Sequence, residues 1–335
     1  MDLNSGELID AWKMLSVKKA DSSGICSIPL DIFEEFRISI ALVYPEKYET
    51  LLFEFKEKSV DLYLSELELT GLVFNKNEPL KSSIYNQVFV LSKQENQDLT
   101  VFNTICLDLL TFARHNYKLS GERYFNAIKN RLNIWIEFLK NGDGKHLSLR
   151  KQIGVIGELL LLDKLKQYSP SEIAWMNSWK GPERHSKDFI TQNIAFEIKA
   201  ILNDEIAVQI SNIDQLDTTN IDKLVLSIFQ FLEDSENGKT INQFVDSIIS
   251  NISCDKTLHL FLTKLGLSGY DLQDQKHYGL KFSLKNEHSF SVDSDFPRLV
   301  KGNVATEITS VKYKLDLSSL SSFKVDLAEQ IKDSY

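Results

Sequence analysis

Glu158, Asp188, Glu197 and Lys199 are three carboxylates and one amine within a single stretch of chain. Carboxylate oxygens are the hard ligands that Mg²⁺ takes, together with water, backbone carbonyl and substrate phosphate. An amine beside such an ion can hold the water that the ion activates. The chemistry open to this set is metal-assisted hydrolysis of a phosphodiester. The spacing of the last two residues suits it. Ala195-Phe-Glu-Ile-Lys-Ala200 alternates, so Glu197 and Lys199 share one face of a strand and Phe196 and Ile198 the other. Two positions along a strand separate the pair by roughly 6–7 Å. Asp188 would be the second carboxylate, and the Ile198 carbonyl a third ligand.

The elements that must position these residues follow from periodicity. Residues 152–167 read as a helix, in which Glu158 projects between Leu162 and Leu165 with Leu161 just beyond. An ionised carboxylate in an apolar sector is costly unless paired or metal-bound. Gly154, one turn back, removes a side chain beside it. Residues 173–178, 187–191, 194–201 and 205–211 read as short strands, with a helical turn at 213–216. Lys223–Phe231 reads as a buried strand and 240–251 as an amphipathic helix. From Tyr270 the chain turns strand-rich. Upstream, residues 5–15, 96–116 and 121–140 read as helices and Tyr85–Leu91 as a strand. Asn141-Gly-Asp-Gly144 is a break. These features predict three regions: an N-terminal mixed α/β domain over 1–145, a core over 146–255, and a β-rich C-terminal element over 256–335.

An acidic residue two before a lysine is a weak signal alone. It occurs four times, at Glu54/Lys56, Asp143/Lys145, Glu197/Lys199 and Asp274/Lys276. Leu51, Leu52 and Phe55 around the first fit helical spacing, Asp143 lies in the glycine-rich break, and Asp274 lies in a polar stretch without a strand. Only Glu197/Lys199 has an upstream apolar helix bearing a glutamate.

Composition narrows the partners. The net charge is −9, which counts against unaided capture of nucleic acid, since phosphate binding is dominated by Lys and Arg. From Thr111 to Lys151, however, nine Lys/Arg face three acids. This stretch could be a solvated helix face or an electropositive flank to the site. Cys26, Cys106 and Cys254 form no metal-binding spacing, which suits reduced thiols in a cytoplasmic protein. The six histidines show no HxH or HxxxH pattern. No apolar stretch is long enough to span a membrane, no Walker motif is present, and the N-terminal residues lack a secretory pattern.

At this point the chain resembles the PD-(D/E)XK nuclease superfamily, and in particular an uncharacterised bacterial family of such proteins. The resemblance rests on Ile153-Gly-Val-Ile-Gly-Glu-Leu-Leu160, Trp179-x-Gly181-Pro182, Asp188-Phe189 and Phe196-Glu-Ile-Lys199. It extends to Trp135, Asp295-Phe-Pro297 and Tyr313-Lys-Leu-Asp316. Lys187 stands where the motif has proline. The resemblance implies an α/β (α+β) fold with a restriction-endonuclease-like αβββαβ core around a mixed sheet. It implies catalysis by Glu158, Asp188, Glu197 and Lys199, with Asp188, Glu197, Glu158 and the Ile198 carbonyl holding Mg²⁺, or Mn²⁺ in its place. Gln215, Gln209, His185 and Arg150 are candidate substrate contacts. DNA is the implied substrate, restriction or phage defence the implied setting, and the other proteins of such a system the implied partners. Cutting both strands with one site per chain would imply a homodimer. Two other readings stand beside this one: a non-catalytic subunit that keeps the fold as a DNA- or protein-binding module, and an RNA-directed nuclease.

Overall fold

The computed structural model describes residues 5–17, 24–56, 67–69, 72–77, 85–93, 99–119, 121–140, 146–203 and 205–335. The chain divides into two compact units, Met1–Gly142 and Asp143–Tyr335. The glycine-rich break at 141–144 lies outside the described residues.

The first unit opens with helix α1 (Ser5–Val17). Six strands follow: β1 (Gly24–Ile32), β2 (Phe36–Tyr44), β3 (Tyr48–Phe55), β4 (Leu67–Leu69), β5 (Leu72–Asn77) and β6 (Gln87–Lys93). Helices α2 (Leu99–His115) and α3 (Gly121–Lys140) complete it. The strands form one antiparallel sheet in the order β1-β2-β3-β6-β5-β4. The helical spacing read at Leu51, Leu52 and Phe55 is corrected: these residues lie in β3. Every residue of β3 from Thr50 to Phe55 is buried. A strand covered on both faces loses its period-two alternation, and the apolar run that remains can imitate a helix. Glu54 there is committed to structure, accepting two hydrogen bonds from Arg37 at 2.6 Å and one from Ser39 at 3.0 Å.

The basic stretch also loses members to structure. Arg131 is fully buried and bonds Asp108 through two nitrogens, while Trp135 Nε1 donates to the same carboxylate at 2.7 Å. Arg114 pairs with Asp31 at 2.9 Å. Arg123, Lys118, Arg150 and Lys151 remain exposed.

The second unit holds the predicted site. Helix α4 (Leu149–Leu165) leads through α5 (Glu172–Ser178) to strands β7 (Phe189–Ile190), β8 (Ala195–Leu202), β9 (Ala207–Ile210) and β10 (Leu224–Glu233). Helices α6 (Ile241–Ile249) and α7 (Asp255–Leu267) follow, then β11 (Phe282–Ser291), β12 (Tyr313–Asp316), β13 (Lys324–Val325) and α8 (Leu327–Lys332). The five-stranded sheet runs β13-β11-β10-β8-β7, and β9 pairs with β12 apart from it. The sheet is mixed: β8 and β10 are parallel and the other pairs antiparallel. Central β10 is buried at eight consecutive residues, as a strand covered on both faces must be.

The αβββαβ order is realised only in part. Residues 173–178, expected as a strand, are helix α5. Ser171 caps it, accepting from Ala174 N, and Trp175 and Met176 are buried on its inner side. All that remains of an outer strand is a single bridge between Trp179 and Phe189. The parallel crossover from β8 to β10 passes through β9 and turns rather than a helix. Residues 256–335, expected as a β-rich C-terminal element, lie within this unit. They supply β11 to the main sheet and nearly all of α7, whose starting amides at Ser253 and Cys254 are bound by the Glu172 carboxylate.

Candidate active site

Helix α4 packs against β8 at Gly157. A Cβ there would lie 3.0 Å from Ala200 Cβ and 3.4 Å from Ile198 Cγ2. The close approach therefore needs glycine at 157, whereas Gly154 has open space around it. With the even-numbered residues of β8 facing α4, Glu197 and Lys199 share the opposite face, as their spacing predicts.

Strands β7 and β8 are paired only at Phe189/Phe196 and Ile190/Ala195. Beyond that point they part, and the Asp188 side chain takes over: its Oδ2 accepts from Ile198 N at 2.7 Å. The Asp188 carbonyl accepts from Lys180 N at 2.6 Å and Gly181 N at 3.0 Å. Asp188 is thus held on both sides at the fork between two strands. Glu197 is buried, and its Oε1 accepts from Lys199 Nζ at 2.8 Å. Glu158 reaches in from α4 and accepts from Trp179 Nε1 at 2.6 Å.

Gly181 records how closely Glu158 and Asp188 approach. A Cβ on it would stand 2.7 Å from Glu158 Oε2 and 3.0 Å from Asp188 Oδ1. Two carboxylates from different elements thus face one small space that a methyl group would fill. Burial pushes Glu158 well above the usual carboxylate range, and the neighbouring Asp188 adds to the shift. Asp188 is raised mainly by burial, against the pull of Lys199 and of the Ile198 amide. Glu197 is pushed up to about 8, by burial first and by Asp188 second, although Lys199 opposes it. Glu158 and Asp188, mutually repelling carboxylates that turn toward a shared gap, fit a divalent cation, and Glu197 is a third carboxylate near enough to repel Glu158.

The electrostatics have a measurable consequence. The folded state raises Glu197 above its value in the unfolded chain, so it favours the protonated form. Its contribution is fully present below the unfolded pKa, near 4.5, and is lost as pH rises through about 8. Without added metal, the protein is expected to lose on the order of a few kcal/mol of stability between pH 5 and pH 9 through this group. Urea unfolding across that range should show the loss in the parent and a flatter profile in Glu197→Gln. Superimposable profiles would contradict the assignment.

Several residues that hold the site escape prediction. Trp179, known from sequence only as part of the resemblance, is buried and also fixes the Glu158 carboxylate. Lys264 on α7 is buried, bonds the Trp179 carbonyl and pairs with Glu183 at 2.8 Å, so it braces the loop that carries Gly181. Its one visible signal is a lysine on the apolar face of Leu258, Phe261 and Leu265. Lys187, in the motif's proline position, is buried and bonds the Asp214 carbonyl. Burial lowers its pKa, while Glu197 and then Asp217, Asp214 and Asp188 favour its charge.

Of the expected substrate contacts, Arg150 and Gln209 line one cleft of about 450 Å³ together with Lys199. Ser211 and Lys314 join them there, the latter unforeseen. Gln215 and His185 are not among the cleft's lining residues. Gln215 Oε1 is occupied by Ser211 N at 2.7 Å, and exposed His185 accepts from Lys187 N at 3.2 Å. Among the described residues, no helix is long and apolar enough to cross a membrane.

Gly181→Ala is expected to weaken Mg²⁺ or Mn²⁺ binding at least about tenfold while leaving the fold intact. The new methyl meets the free ends of two side chains rather than backbone, so the displacement falls on the carboxylates. Calorimetry beside a thermal melt separates the two effects, and unchanged affinity would contradict the prediction.

Against known proteins, the model of a family described as "Putative PD-(D/E)XK family member, (DUF4420)" matches residues 8–318. No curated protein and no solved structure matches the chain.

Proposed function

Since the chain belongs to this PD-(D/E)XK family, we propose that it is a Mg²⁺-dependent endonuclease that hydrolyses DNA phosphodiesters in the cytoplasm. The observation that carries the reading is the meeting of Glu158 and Asp188 over Gly181, beside the Glu197–Lys199 pair. Glu158, Asp188 and Glu197 would hold the cation, with the Ile198 carbonyl as a further ligand and Mn²⁺ as an alternative ion. When bound, it would supply an acidified water and neutralise charge on the scissile phosphate. Lys199 would orient that water and stabilise the charge that grows on phosphorus-bound oxygen. Arg150 and Lys314, in the same cleft, would hold backbone phosphates of the substrate. The products would carry a 5′-phosphate and a 3′-hydroxyl. A setting in restriction or phage defence, with partner proteins or a second copy of the chain, rests on the resemblance of the sequence alone.

The test pairs two measurements on the purified protein: calorimetric titration with Mg²⁺ or Mn²⁺, and nicking or linearisation of supercoiled plasmid in each metal. Metal binding and cleavage that are both lost in Asp188→Asn would support the proposal. Absence of metal binding in the parent protein would sink it. The acidic balance of the chain favours a second reading, a fold that binds DNA or protein without cutting. Metal binding without cleavage of DNA or RNA would point there.

A further inference from the structure

His146, Asp274 and His277 lie apart from the acidic pocket and come from two separate segments of the second unit. His146 stands three residues before α4, and the other two lie on the 3-10 turn Leu272–His277. His146 Nδ1 is 3.0 Å from Asp274 Oδ2, and His277 Nδ1 is 3.6 Å from Asp274 Oδ1. One donor atom from each residue lies within 4.8 Å of the other two. Bonds of about 2.0–2.1 Å at tetrahedral angles separate neighbouring ligand atoms by roughly 3.3 Å, so the donor set needs only a small contraction to close on one ion.

From this geometry we infer a second metal site, suited to Zn²⁺ or a similar transition cation. Two imidazoles and one carboxylate favour such an ion over Mg²⁺ or Ca²⁺, which prefer oxygen throughout. Asp274 supplies an independent sign. Its Oδ2 is buried and accepts no hydrogen bond of normal geometry, although an imidazole nitrogen stands 3.0 Å away. The two rings lie 3.8 Å apart between centroids, so the exposed imidazoles must part by roughly 1–1.5 Å to share one ion at tetrahedral angles. Both histidines are partly exposed, so solvent can complete the coordination.

Hydrogen bonds hold the surroundings of these three residues. Leu147 N donates to Tyr278 Oη at 3.2 Å, and Gln152 Nε2 donates to the Leu147 carbonyl at 2.9 Å. A bound ion would staple the start of α4 to the turn after α7, and α4 is the helix that delivers Glu158. Its role would be to hold this helix in place, with no part in hydrolysis.

The test uses the full chain carrying Asp188→Asn and Glu197→Gln, which silences the acidic pocket. Titration with Zn²⁺ should show one equivalent bound at neutral pH, and Co²⁺ should give the visible bands of a low-symmetry site. Zn²⁺ should raise the melting temperature by at least about 2 °C. Adding either His146→Ala or His277→Ala should weaken binding at least about tenfold and remove the thermal shift. Both histidines are surface-accessible, so circular dichroism should report an intact fold. Absence of Zn²⁺ binding in the silenced chain would overturn the inference, as would binding indifferent to both histidine changes. Neither result depends on whether the protein cuts DNA.

Discussion

Lys199→Ala should lower metal-dependent DNA cleavage by about a thousandfold or more, equivalent to roughly 4 kcal/mol of transition-state stabilisation. The ammonium lies 2.8 Å from Glu197 and lines the cleft where substrate would lie, so no neighbouring group can replace it without moving. Lys187 cannot substitute, because it is committed to the Asp214 carbonyl. The variant should still fold. Loss of Lys199 leaves Glu197 buried without its ammonium partner, and a carboxyl already raised to about 8 responds by keeping its proton. Near neutral pH, stability should therefore change little while activity collapses. Lys199→Arg is expected to recover only a small fraction of the rate, since the guanidinium is longer and planar. Initial rates on supercoiled plasmid, beside thermal melts, test both halves. Equal rates for parent and alanine variant in the same metal would remove Lys199 from the chemistry.

The largest effect on stability is expected far from the site, at Asp108. Its carboxylate accepts from Arg131 Nε at 2.9 Å, Arg131 Nη2 at 2.6 Å and Trp135 Nε1 at 2.7 Å, joining α2 to α3. Both charged side chains are almost wholly withdrawn from solvent. Removing one member of such a pair leaves the other charge in a poorly solvating interior, a loss of about 3–5 kcal/mol. Asp108→Ala should lower the melting temperature of the first unit by roughly 10 °C. Asp108→Asn, which keeps an acceptor for Trp135, should do less damage. A loss below about 1 kcal/mol for the alanine variant would mean that the guanidinium finds water or another acceptor. The network also gives Trp135 a structural role, which explains its place in the resemblance without assigning it to the site.

Glu158, Glu197 and Lys199 were legible as candidates because each sits in an element whose period is local, whereas Asp188 stands just before the short β7. Two-residue alternation places Glu197 with Lys199, and a leucine-rich helix marks Glu158 as out of character. The residues that hold these four were not legible in the same way. Gly181 matters only because two carboxylates approach it, and Lys264 only because α7 turns it toward the Trp179 carbonyl. Residues 173–178 imitated a strand through Ile173 and Trp175, while the Ser171 cap and the burial of one side made them a helix. Helix α7 was not foreseen at all. His146 and the pair Asp274/His277 lie so far apart in the chain that no spacing rule could join them. Such contacts appear only once the tertiary structure brings distant segments together.

The bare position at 181 offers a way to sort related chains. Two acids cannot keep their present positions around any larger amino acid, so a relative with alanine, serine or bulkier there should hold its cation more weakly, even with every motif letter in place. One column of an alignment would then rank relatives by how tightly they grip the ion.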